Sequence, residues 1–108
     1  MATGRLNGVD ITTTNATSVY TCLTSTFAVV SVSICNRSAS AVTVRLALTS
    51  TGASPATTDY LEYDASLSAN GVLERTGIVM KADNQLVVQA GTGNVLSVVV
   101  VGIETATV

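Results

Sequence analysis

Apolar and polar side chains alternate along the chain in short runs, and no stretch carries the three-to-four spacing of an amphipathic helix. In Phe27–Cys35, Ala28, Val30, Val32 and Ile34 fall on one face while Ser31 and Ser33 fall on the other, which predicts a half-buried strand. Ala41–Thr49 repeats the pattern, with Val42, Val44, Leu46 and Leu48 inward and Thr43, Arg45 and Thr49 outward. Further strands are predicted over Ala16–Leu23, over Tyr60–Ala65 and over Gln85–Ala90, where Leu86 and Val88 point inward. In Tyr60–Ala65, Leu61 and Tyr63 share one face and Glu62 and Asp64 the other. Val72–Thr76 and Ile78–Met80 flank Gly77 as two more. Asn36–Ser40, Asn70-Gly71, Asp83-Asn84 and Gly91–Gly93 supply turns, and Thr51–Thr58, with the single proline, is the longest exposed loop.

Asn94–Glu104 departs from this alternation, being β-branched and apolar on both faces. Ser97 shares a face with Val95, Val99, Val101 and Ile103, whereas Leu96, Val98 and Val100 form an unbroken apolar set. The even-numbered face is therefore assigned to the core. Val99, Val101 and Ile103 become the candidate subunit interface, facing a neighbouring subunit or the N-terminal arm. Short strands at roughly eight-to-twelve-residue spacing point to an all-β fold, an antiparallel β-sandwich of about seven to eight strands. Ig-like and jelly-roll-like connectivities both remain open. Residues 1–15, anchored by Leu6, Val9 and Ile11 alone, are read as an extended arm, and residues 16–108 as a single β-sandwich domain.

Composition sharpens the expectation of assembly. Charged residues make up 11% of the 108 positions, against about 25% in a typical domain. Mean hydropathy is +0.51, so much of the surface must be Ser, Thr, Ala and Val. A net charge of −2, one lysine and four scattered arginines argue against a nucleic-acid partner. No segment is long and apolar enough to predict a membrane span, and the N-terminus has no basic start or apolar core of a secretory signal, so a cytoplasmic product is expected.

The chemistry-bearing residues form no reactive set. The chain has no histidine, which removes the commonest general base and metal ligand together. Cys22 and Cys35 lack a CxxC spacing or a basic neighbour and are expected as free thiols, held apart by a hairpin turning near Thr24–Thr26. Asp59, Glu62 and Asp64 contain the oxygens a calcium ion would want, but a solvated acidic edge explains them as well. Asn15-Ala16-Thr17 and Asn36-Arg37-Ser38 fit the glycosylation triplet, which carries meaning only in a secreted chain. Gly91–Asn94 reads as a hairpin turn, since no helix follows it. No catalytic, cofactor-binding or metal residue is assigned, no cofactor is expected and the protein is not expected to be an enzyme.

The pattern of GRL near the start, VYTC, VSVSICNRSASAVTVRLAL, YLEYDASLSANGVLERTGIVM and a closing VVVVGIE resembles small virion structural proteins of tailed bacteriophages, of the marine and cyanobacterial type. The resemblance covers nearly the whole chain and is most specific at Cys35-Asn36-Arg37, Glu62-Tyr63-Asp64 and Asn70–Gly77. It implies a virion subunit made in the host cytoplasm, a capsid decoration or cement protein that binds the major capsid protein or other virion proteins and its own copies as a homo-oligomer. The alternative is a tail, neck or fibre module binding a receptor or glycan through Tyr60, Tyr63 and the Thr51–Thr58 loop.

Overall fold

The alternating runs become eight strands in a computed structural model of the chain, which describes residues 2–107. They are β1 (Thr3–Ile11), β2 (Thr17–Thr21), β3 (Thr26–Asn36), β4 (Val42–Thr49), β5 (Tyr60–Leu67), β6 (Val72–Met80), β7 (Gln85–Ala90) and β8 (Leu96–Ala106). One sheet has the order β1-β8-β3-β6 and the other β2-β7-β4-β5, with every neighbouring pair antiparallel. The expected all-β sandwich is thus the observed architecture, and no helix occurs among the described residues.

β3 and β8 form the middle of the first sheet because both are long, β-branched and apolar on the inward side. Their register runs without a shift from Thr26↔Ala106 to Asn36↔Leu96. Leu96, Val98 and Val100 are buried, and Ala28, Val30, Val32 and Ile34 lie beside them in the core. Gly102 lies opposite Val30, and a Cβ there would run into the Val29 carbonyl oxygen, so this close approach of two backbones requires glycine. Gly77, at φ 68°, does not divide its segment in two; it sits at a register shift within the continuous β6.

The segment read as an arm, residues 1–15, contains β1, which pairs along β8 from Thr3↔Ile103 to Ile11↔Leu96. Ile11 is buried in the core, with Leu6 and Val9 packed against it. The predicted hairpin near Thr24–Thr26 does not form. β2 pairs with β7 and β3 with β6 and β8, because each strand needs its apolar face on its own side of the shared core. Both cysteines are free all the same, Cys22 buried and Cys35 half-buried on the outward face of the first sheet. Burial, reinforced by Glu104 and Asp83, pushes the Cys22 thiol up from its ordinary value. Thr49, expected to face outward, is buried, because its hydroxyl donates to the Gly52 carbonyl at 2.6 Å.

Asn36 ties one end of the sandwich together. It is fully buried, and its amide nitrogen lies 2.9, 3.2 and 3.1 Å from the carbonyl oxygens of Ser40, Leu67 and Ser68. Its Oδ1 accepts from the Ser38 backbone N–H at 2.9 Å and from the Ser38 hydroxyl at 2.8 Å. Arg37 continues the clamp: its backbone N–H and Nε donate to the Val95 carbonyl, and its Nη2 reaches the Asn94 carbonyl at 2.9 Å and Asp10 at 2.7 Å. At the side of the sandwich the Tyr20 hydroxyl donates to Glu104 at 2.5 Å, joining β2 to β8. Burial first, and then that carboxylate, raises the phenol well above its usual range.

Replacing Asn36 by alanine orphans several buried carbonyls and the Ser38 N–H together. Asn36→Ala should lower unfolding free energy by about 3 kcal/mol or more in urea titration, while Arg37→Ala, whose contacts are exposed, should cost about 1 kcal/mol. In the folded chain a thiol reagent should modify Cys35 first, and Cys22 only as fast as the protein opens, which mass spectrometry of partially alkylated protein reads directly.

Candidate functional site

The outward face of the β1-β8-β3-β6 sheet is built by the register of its strands. Val29 lies between Ile103 on one side and Val79 on the other, Ser31 lies beside Val101, and Phe27 beside Thr105. Phe27 and Val29 are two residues apart on one strand, as are Val101 and Ile103, so all four side chains leave the same face. Val79 is 66% exposed, Ile103 55%, Val101 42%, Val29 41% and Phe27 40%. Large apolar side chains gathered this way on an uncovered sheet are the usual mark of a docking surface. Polar residues bound it: Arg5 pairs with Val101 at the β1 margin, and Glu74 pairs with Ser33 toward the far end.

The structure brings two of the three candidate interface residues, Val101 and Ile103, into this patch. Val99 shares their face but is half-buried at the margin. Its partner Gly8 lies under the Arg5 guanidinium, so this part of the face is already lined by charge. Sequence reasoning missed Phe27, Val29 and Val79. The signal was present in the apolar residues on both sides of the Phe27–Val30 alternation, but only the pairing of Val29 with Ile103 and Val79 shows that they converge.

On the other sheet the acidic residues are parted rather than gathered. Arg75 reaches from β6 to Glu62, and Arg45 grips Asp64 through Nε at 2.6 Å and Nη2 at 3.2 Å. Asp59 accepts from the Ala56 N–H at 2.7 Å. Hydrogen bonding from Arg45 holds the Asp64 carboxyl below its usual range. Among the described residues no group of three potential ligands is close enough to hold a metal ion. Tyr63, which the alternation puts on one face with Leu61, is 59% exposed while Leu61 packs against the core. The cause is local: Asp64 has φ 53°, and the β4–β5 register shifts on either side of Leu46, so the alternation of β5 breaks where Tyr63 sits. Its ring packs edge-on against Tyr60 with centroids 4.9 Å apart, under the Arg45 guanidinium at 4.1 Å.

Residues 5–92 match the family model for the fourth Ig-like domain of Trs120/TRAPPC9. No curated protein and no solved structure gives a significant match to the chain. The family match agrees with the two-sheet sandwich and favours the Ig-like over the jelly-roll-like branch. It overturns the resemblance to tailed-phage virion proteins. With that resemblance go the capsid decoration or cement role, the major capsid protein and the chain's own copies as partners, the virion location and the tail, neck or fibre alternative. Short Ser-, Thr- and Val-rich strands joined by polar turns are what a low-charge β-sandwich requires in any lineage, so these motifs reported architecture and not descent.

The two faces of β8 should respond oppositely to charge. Val101→Asp should change unfolding free energy by about 1 kcal/mol or less, whereas Val100→Asp, burying an unpaired carboxylate, should cost about 4 kcal/mol or more. Urea denaturation of both variants checks this, and equal destabilisation would show the outward face to be structural.

Proposed function

Because the chain belongs to the family of the fourth Ig-like domain of Trs120/TRAPPC9, we propose that it serves as a non-enzymatic Ig-like module of a TRAPP vesicle-trafficking subunit. Its task in this reading is to hold other parts of that complex in place. The match over residues 5–92 is the observation that carries it. The outward face centred on Val29, Val101 and Ile103 supplies the means: a rigid sheet, apolar at the centre and polar at the rim, has the anatomy of a protein-binding patch. Val99, at the margin, belongs to the rim of that contact. The absence of histidine from the chain fits a module that positions rather than reacts.

Retention of the chain on immobilised TRAPP complex tests the proposal. The wild-type chain should be retained, and Val101→Asp/Ile103→Asp should weaken retention by about tenfold or more, since a charge desolvated at the centre of a contact costs more than about 1.4 kcal/mol. Undiminished binding by the double variant would rule out this face, and no binding by the wild type would rule out the proposed role.

A further inference from the structure

A second surface lies on the other sheet, where Pro55, Thr57, Tyr60 and Tyr63 line an open slot of about 410 Å³. That size falls within the range of roughly 300–1,000 Å³ typical of ligand pockets. The loop that forms one wall is pinned along its length. Thr49 donates to the Gly52 carbonyl at 2.6 Å, the Asp59 N–H to Ala56 at 3.0 Å, and the Leu48 N–H to the Asp59 carbonyl at 2.9 Å. The opposite wall is equally fixed, since the ring planes of Tyr60 and Tyr63 meet at 83° and Arg45 covers Tyr63. The slot is therefore formed before any ligand arrives.

We propose that this slot binds a proline-rich peptide segment in the polyproline II conformation, carrying an arginine or lysine beside its prolines. Three observations converge on that ligand. The edge-to-face tyrosine pair and Pro55 give the slot an apolar lining against which pyrrolidine rings pack, and prolines three residues apart in polyproline II recur on one face about 9 Å apart. Thr57 and Tyr63 are exposed and Tyr60 is half-buried, so the slot they line offers hydroxyl donors to a ligand. A polyproline II backbone has no internal hydrogen bonds, and its carbonyls need such donors.

Charge supplies the third. The Thr51–Leu67 segment carries Asp59, Glu62 and Asp64 and no basic residue. Arg75 and Arg45 neutralise Glu62 and Asp64, leaving Asp59, between two lining residues in sequence, without a cation among the described residues. A basic side chain on the ligand completes the pairing, helped by the net charge of −2. A sugar fits less well, because Arg45 already occupies one face of Tyr63 and perpendicular rings offer no flat platform for stacking.

Titrating the isotope-labelled 108-residue chain by NMR with a synthetic peptide containing Arg and two prolines at i and i+3 tests the site. Saturable shifts should centre on residues 55–63, vanish with a Pro→Ala peptide and weaken as salt rises. Tyr63→Ala should reduce affinity about tenfold or more, and Tyr63→Phe, which keeps the ring, should reduce it less. Asp59→Asn keeps an acceptor for Ala56 and should weaken the Arg peptide several-fold while leaving a neutral proline peptide unchanged. Equal shifts by the Pro→Ala peptide, shifts by a neutral oligosaccharide but not by the peptide, or no shift at millimolar peptide would each overturn the proposal. The site is independent of the TRAPP contact: the two lie on different sheets, so Val101→Asp/Ile103→Asp should leave peptide binding intact.

Discussion

One buried amide sets the terms for this sandwich. Asn36 brings a polar side chain into an apolar interior, a placement tolerable only because donors and acceptors meet it on every side. Its partners lie in the β3–β4 connection, at the end of β5 and in the β5–β6 connection, so the two sheets are tied by chemistry that cannot slide. A hydrophobic core would tolerate a strand displaced by two residues far better than this cluster does. Arg37, next in sequence, extends the fixed end to Asp10, Asn94 and Val95. Through these two residues the start of β8 is placed opposite the end of β3, and the rest of their register follows. That register decides which valines of β8 reach the interior and which reach solvent.

Much of the architecture was legible because core strands of a two-sheet fold must alternate. β3, β4 and β7 fall close to their predicted bounds, and the even-numbered residues of β8 occupy the core. Three features escaped, two of them because they depend on distant partners. Sheet membership is not encoded in the local pattern, so β2 and β3 looked like a hairpin when they belong to opposite sheets. The left-handed backbone at Asp64 leaves no mark in composition, yet it turns Tyr63 outward. The patch around Val29 arises from three strands that are remote in sequence. Lineage was the least legible of all, since the motifs that suggested it are demands of the fold.

The low charge of the chain takes on a structural meaning from where its ion pairs sit. Arg37–Asp10, Arg45–Asp64 and Arg75–Glu62 each join neighbouring segments, and none crosses the Phe27–Val29–Ile103 face. Exposed pairs add little stability. Their effect is local: they hold side chains in place around the two open surfaces, as Arg45 does for Tyr63. The free edges are irregular as well, with Gly77 on β6 and Asp64 on β5 both at positive φ, so growth by edge pairing is discouraged and the sheet faces are left as the accessible surfaces.

The connectivity has a further consequence for how the molecule comes into being. Apart from the β4–β5 hairpin, successive strands lie in opposite sheets, and the strand that pairs with both β1 and β3 is the last one. During synthesis β1 therefore emerges without its sheet partner and must wait for β8. β3 likewise lacks one of its two hydrogen-bonding neighbours until Leu96–Ala106 has been made. Such a topology folds late and all at once. Without β8, β1 has no neighbour in its sheet and β3 has one, so the first sheet is completed only when its last-made strand arrives.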